Sequence, residues 1–229
     1  MSRPRPALAE VLARLGSQVR RGAVSLEPEP RLPSGIPDLD RLLGGGFPYG
    51  RLSEISGPSS SGRTSLALSL LAASVRPGGL AAWVDAADAF DPASAAAAGA
   101  PLSRVLWVRA PGVAAALRST ERLLEARGLA LVLLDLALPG APPHVAPAAW
   151  PRLLRAAQAG SAPLVVLAAG RIAGASATLA LELSVVSARF SGTPCLFEGL
   201  ETQADLVRGR SKPAAGMACV RLDALRTPG

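Results

Sequence analysis

The period of hydrophobic and polar positions changes several times along this chain, and the changes divide it into elements. Residues 7–20 place Leu8, Val11, Leu12, Leu15 and Val19 at helical spacing, with Glu10, Arg14, Gln18 and Arg20 on the other faces, so an amphipathic helix is expected there. Its apolar stripe needs a surface to cover it, on its own core or on another molecule. Gly22 to Pro33 carries three prolines and reads as an extended arm or linker. The chain thus divides into an N-terminal helix and arm, residues 1–33, suited to oligomerisation or docking, and a core domain, residues 34–229.

Ser34 to Gly50 reads as a turn and a short amphipathic helix closed by a glycine cluster. The pattern then predicts a strand at Arg51–Ser56, a helix at Thr64–Val75, strands at Leu80–Asp85 and Val105–Arg109, a helix at Val113–Arg127 and a buried strand at Leu129–Asp135. Further strands are expected at Pro163–Ala168, Leu179–Phe190, Ala204–Arg208 and Met217–Leu222, the last ones as an antiparallel extension. Strands alternating with helices of this length predict an α/β fold with a mostly parallel sheet and helices on both faces.

Composition limits what this fold can be used for. A chain of 229 residues, 49% apolar and 18% charged, suits one packed core with short appendages and is unlike a disordered segment. Aromatics are only 3%, so the core is built from Ala, Leu and Val and leans on strand pairing or a partner subunit. A net charge of +7 favours phosphate backbones or acidic protein surfaces. Lys212 is the only lysine, so an arginine at one position reflects general usage as readily as local need. Cys195 and Cys219 lie far apart without metal-type spacing and are expected to be buried free thiols in a reducing cytoplasm. Glu10 and Arg14 interrupt the apolar stretch after Arg3 and Arg5, which makes a poor signal peptide. No apolar run approaches the roughly 18 residues a membrane span needs, and a soluble, cytoplasmic protein is expected.

Gly57-Pro-Ser-Ser-Ser-Gly62-Arg63-Thr64-Ser65 follows a predicted strand and opens a predicted helix. A phosphate-binding loop belongs at such a place, because successive backbone N–H groups and the helix N-terminus converge on an anion. The spacing is G-x-x-x-x-G-x-[ST], but the residue after the second glycine is Arg63 where a working loop has lysine. A planar, forked guanidinium does not replace a compact ammonium inside the loop. Weak binding of phosphate, ATP or ADP is compatible with this loop; efficient hydrolysis is not expected.

The stretch Ser34–Pro92 resembles the core of bacterial RecA recombinases in order and spacing. The matching features are Ser34, Gly35, Leu39 and Asp40, the Gly44–Pro58 approach GGGFPYGRLSEISGP, the loop, and the run from Val84, Asp85 and Ala86 to Phe90, Asp91 and Pro92. The resemblance implies a RecA-like P-loop fold. It implies further that Asp135 ends the strand whose aspartate orients Mg²⁺, leaving Gly57, Ser61, Gly62, Arg63, Thr64, Ser65 and Asp135 as a vestigial nucleotide site. Where the family carries the glutamate that polarises attacking water, this chain has Ala87; Asp88 lies one residue on, with a shorter arm aimed elsewhere. Where recombinases carry a glutamine that senses the γ-phosphate, it has Ala169. The first DNA loop, around Pro139–Pro151, is proline-rich and shortened, and the second is cut to a few residues after Ala169.

A RecA framework without its ATPase chemistry resembles the ImuA family, which partners ImuB, a Y-family polymerase-like protein, and a DnaE-type polymerase in translesion synthesis. The resemblance implies a non-catalytic adaptor without a resident cofactor. It leaves open a division inhibitor of the SulA type, a slow ATPase, and a regulator of RecA filaments that binds DNA. Arg171, Arg208, Arg210 and Lys212 are candidates for a surface that contacts single-stranded DNA, though no aromatic is interleaved with them to stack bases. Leu8, Val11, Leu12, Leu15 and Val19 are candidates for docking, by self-association or onto RecA. His144 stands alone among prolines with no ligand partner at useful spacing. Trp83, Trp107 and Trp150 read as packing residues, and Asp85 and Asp91 as a strand-end cap and a turn before Pro92.

Overall fold

The computed structural model describes residues 29–76, 78–140, 143–209 and 216–224. Leu8, Val11, Leu12, Leu15 and Val19, with Arg210 and Lys212, lie outside the described residues. The fold is α/β, with a mostly parallel central sheet flanked by helices.

Strands β1 (Arg31–Leu32) and β2 (Phe47–Pro48) form a two-stranded antiparallel ribbon, with the short helix α1 (Pro37–Leu43) between them. Arg31 fixes this ribbon by donating from Nη1 to the carbonyls of Leu43 and Gly46, both at 3.0 Å. The main sheet holds β3 (Leu52–Ser56), β4 (Leu80–Asp85), β5 (Val105–Arg109), β6 (Leu129–Asp135), β7 (Leu164–Ala168), β8 (Leu179–Ser191), β9 (Leu196–Arg208) and β10 (Gly216–Asp223). Its order is β10-β9-β8-β3-β7-β6-β4-β5. Pairing is parallel from β8 to β5 and antiparallel through β8, β9 and β10.

The apolar runs of the central strands follow from burial on both faces. Along β6, Leu131 and Leu133 face the cluster formed with Leu66, Leu70 and Leu71 of helix α2 (Arg63–Val75), and with Trp83. Val132 and Leu134 face the opposite cluster, with Leu124 of α4 (Val113–Ala126) and Leu153 of α5 (Ala149–Gly160). The short helix α3 (Pro92–Ala97) lies between β4 and β5 in the chain, and its cap is Asp91, which accepts from the N–H groups of Ala93 and Ser94. No helix among the described residues is long and apolar enough to cross a membrane.

The structure corrects several expectations. The proline-rich stretch expected as a loop up to Pro151 becomes helix from Ala149, because Pro151 lies in the first turn, where no intrahelical N–H is needed. Trp150 is thereby brought into the core. The strand expected at Ala204–Arg208 begins at Leu196; its first half carries Glu198 and Glu201 and is only partly buried. Cys195 and Cys219 are both exposed, the first in the turn between β8 and β9 and the second on the outward side of β10. Trp83 and Trp150 pack in the core, but Trp107, on the sheet-edge strand β5, is 37% exposed.

One buried polar residue ties this scaffold together. Glu54, fully buried in the middle of β3, accepts through Oε1 from the N–H of Ile172 at 2.6 Å and of Ala173 at 2.9 Å. It thereby pins the loop that follows β7 against the next strand. Replacing Glu54 by Ala leaves two donors unpaired, that of Ala173 buried and that of Ile172 half-buried, and is expected to destabilise the fold by about 2–4 kcal/mol, with Glu54→Gln, which retains the acceptor oxygen, costing less. Urea denaturation of both variants checks this; equal stability of Glu54→Ala and the parent chain would contradict it.

Candidate functional site

The loop of residues 57–62 connects the end of β3 to the start of α2 at the carboxyl ends of the parallel strands. Ligands bind open α/β sheets at this edge. Gly62 caps the helix with φ of 90°, in the left-handed region. A Cβ there would lie 2.4 Å from Leu222 Cδ1 and 3.1 Å from Thr202 Oγ1, so the loop is seated directly on β9 and β10. Thr202, fully buried, donates its hydroxyl to the Ser61 carbonyl at 3.1 Å. A cleft of about 310 Å³ opens here, lined by Pro58, Ser60 to Ser65, Phe197 and Leu200. The two wall residues from β9 were not anticipated. Phe197 meets Phe190 of β8 with ring centroids 5.6 Å apart, and both rings are largely exposed.

The structure thus brings Gly57, Ser61, Gly62, Arg63, Thr64 and Ser65 into one loop and helix start, with Thr64 exposed and Ser61 buried. Arg63 turns inward. Its Nη1 donates to the Gly57 carbonyl and, at 2.8 Å, to the carbonyl of Ala168 at the end of β7. Burial pulls the guanidinium below its ordinary pKa, and the charge of Asp135 opposes that shift.

Asp135 ends β6 and is 5% exposed, in register with Asp85 at the end of β4. Its pKa is raised to about 6, chiefly by burial and further by Asp85, against the Ala137 N–H bond and the Arg63 charge, which favour ionisation. Asp85 is enclosed by donors: Ala87 N–H at 3.1 Å, Ala89 N–H at 3.1 Å, Phe90 N–H at 2.8 Å and Trp107 Nε1 at 3.2 Å. It acts as the strand-end cap expected of it, and residues 86–91 wrap around its carboxylate. The indole contact was not foreseeable, because it joins residues from two strands.

Asp88, the carboxylate beside Ala87, is engaged elsewhere. It stands at φ of 55° and forms a two-pronged pair with Arg109, Nε and Nη2 each donating at 2.6 Å. Arg109 in turn lies 5.3 Å from the centre of the Trp107 ring. Of the basic candidates, Arg208 donates to the Gly174 carbonyl at 3.2 Å, which brings it to the loop that carries exposed Arg171.

The RecA N-terminal domain family matches residues 10–143, a stretch that includes the loop, Ala87 and Asp135. The chain is 37% identical over 120 residues to Protein RecA of Picosynechococcus sp., covering 52% of this chain and 34% of that protein. It is 40% identical over 120 residues to Protein RecA of Trichodesmium erythraeum, covering 52% of this chain and 33% of the relative. For Protein RecA of Nostoc punctiforme the values are 39% over 120 residues, 52% and 33%. The chain spans about a third of the length of these curated relatives.

The Asp135 environment has a measurable consequence. Its folded value of about 6 lies above the ordinary 3.8, so between these values the folded state holds a proton that the unfolded state has released. Stability contributed by this group is therefore present below about pH 4 and lost as pH rises towards 6. Relative to Asp135→Asn, the parent chain is expected to lose on the order of 3 kcal/mol across that interval, at about 1.4 kcal/mol per unit. Denaturation of both proteins at several pH values checks this, and parallel curves would refute it.

Proposed function

The chain belongs to the RecA family, and from that membership we propose that it is a non-catalytic RecA-like accessory protein, an adaptor in an ImuA-type assembly with an ImuB-like, Y-family polymerase-related protein and a DnaE-type polymerase in translesion synthesis. The observation that carries the non-catalytic part is the absence of a water-orienting group. Ala87 offers a methyl group, and the carboxylate next to it in the chain, Asp88, is bound to Arg109 on the surface. Ala169, in the γ-phosphate sensor position, is equally inert. Positioned proton transfer commonly supplies about 10²–10⁴-fold in rate, and nothing at these positions supplies it. The framework survives as folded surface, a use that needs the core and the loop but no turnover.

A second reading, direct contact with single-stranded DNA, is favoured by the approach of Arg208 to the loop bearing Arg171. Such contact would weaken steeply with salt.

The purified chain is expected to release no phosphate from ATP above the protein-free blank, with or without single-stranded DNA, and to co-purify with its genome's ImuB-like protein and DnaE-type polymerase. Removing residues 1–30 is expected to abolish that co-purification if the amphipathic helix is the docking element. ATP turnover that disappears in Arg63→Ala would overturn the non-catalytic reading; failure of the intact chain to join the polymerase proteins would overturn the adaptor role.

A further inference from the structure

We infer that Arg63 is an internal plug, an autoinhibitory contact that shuts the loop against phosphate-bearing ligands. This rests on the reading that the loop no longer serves hydrolysis, and it explains how the retained glycine framework is kept from binding nucleotide.

A phosphate loop works when its interior is open and a cation points into it. Here the cleft beside the loop is open, but the space within the loop and its cation are taken up by residues of the loop itself. Ser61 is buried with its hydroxyl turned towards Gly57, so a Cβ on Gly57 would lie 2.7 Å from Ser61 Oγ and 3.1 Å from Ser61 Cβ. The Ser61 N–H is occupied by the Pro58 carbonyl at 3.2 Å. Arg63, from the first turn of α2, reaches back to two carbonyls at the ends of neighbouring parallel strands, Gly57 just after β3 and Ala168 at the end of β7. Its Nη1 is thereby committed to the strand-end carbonyls, with Asp135 close enough to act on its charge, although Arg63 also lines the cleft.

One nitrogen, Nη1, serves both carbonyls, and the guanidinium places it there because the arginine side chain is long; a lysine ammonium has donors enough but a shorter reach. The shorter stem of a lysine would draw its nitrogen back from these strand-end carbonyls. The arginine is therefore more than a poor copy of the lysine: it fills the site as a fixed internal cation. The buried aspartate at the end of β6 keeps a positive neighbour without metal or nucleotide.

The test is calorimetric titration of Mg-ADP and of inorganic phosphate into the full chain and into Arg63→Lys, with thermal melting of both. The full chain is expected to give no binding heat at millimolar ADP and no rise in Tm. Arg63→Lys is expected to bind ADP at least about tenfold more tightly than the parent, a clear difference in dissociation constant, and still to release no phosphate from ATP, since Ala87 and Ala169 are unchanged. Equal binding by the two proteins, or no binding by a folded Arg63→Lys, overturns the plug. If Arg63→Lys melts as an unfolded chain, the parent decides: a Tm raised by Mg-ADP overturns the proposal and an unmoved Tm supports it. Binding of ADP by the parent without turnover sinks the plug alone, whereas ATP turnover by the parent sinks the non-catalytic reading.

Discussion

Asp85 and Asp135 end neighbouring parallel strands with their carboxyl groups buried side by side. Two such groups repel each other and resist desolvation unless each has partners. Much of the architecture at the carboxyl edge of the sheet supplies them. Three backbone N–H groups and the Trp107 indole enclose Asp85, so the segment after β4 is wound into a compact turn that holds Ala87 and sends Asp88 outward to Arg109. Asp135 receives one N–H bond and the nearby charge of Arg63, and its carboxyl is left easier to protonate.

The same logic separates what the family framework retains from what the chemistry required. Gly57 and Gly62 are held by close approach: a Cβ on either would overlap Leu183 or Leu222. These glycines are needed for the loop to sit on β8, β9 and β10, whether or not anything binds. Groups that act only on a reacting phosphate have no such packing duty, and in the proposed reading Ala87 and Ala169 stand where they would be. Glycines under packing constraint beside these alanines fit the proposal that the fold is kept for its surface.

Much of this was legible in the chain itself. The central strands β4 and β6 coincide with their predicted bounds because burial on both faces makes them short, nearly unbroken apolar runs, and the edge strand β5 does so although it is largely exposed. The loop was recognisable because its glycine spacing is local. What escaped depends on contacts between distant residues. Glu54 was visible only as a charge inside an apolar strand, and its role appears once residues 172 and 173 are folded beside it. Helix α5 was obscured by Trp150-Pro151 and a flanking run of alanines and prolines, which carry weak periodicity. The outward direction of Arg109 and the inward direction of Arg63 are set by Asp88, Gly57 and Ala168, and no spacing rule gives them.

In the proposed reading, Arg63 holds this loop closed to nucleotide. A high-resolution crystal structure of the full chain grown in millimolar Mg-ADP tests it most directly. Density is expected for the Arg63 guanidinium on the carbonyl oxygens of Gly57 and Ala168, and none for a phosphate between Ser61 and Thr64. A diphosphate seated in the loop, with Arg63 swung away from both carbonyls, would contradict it.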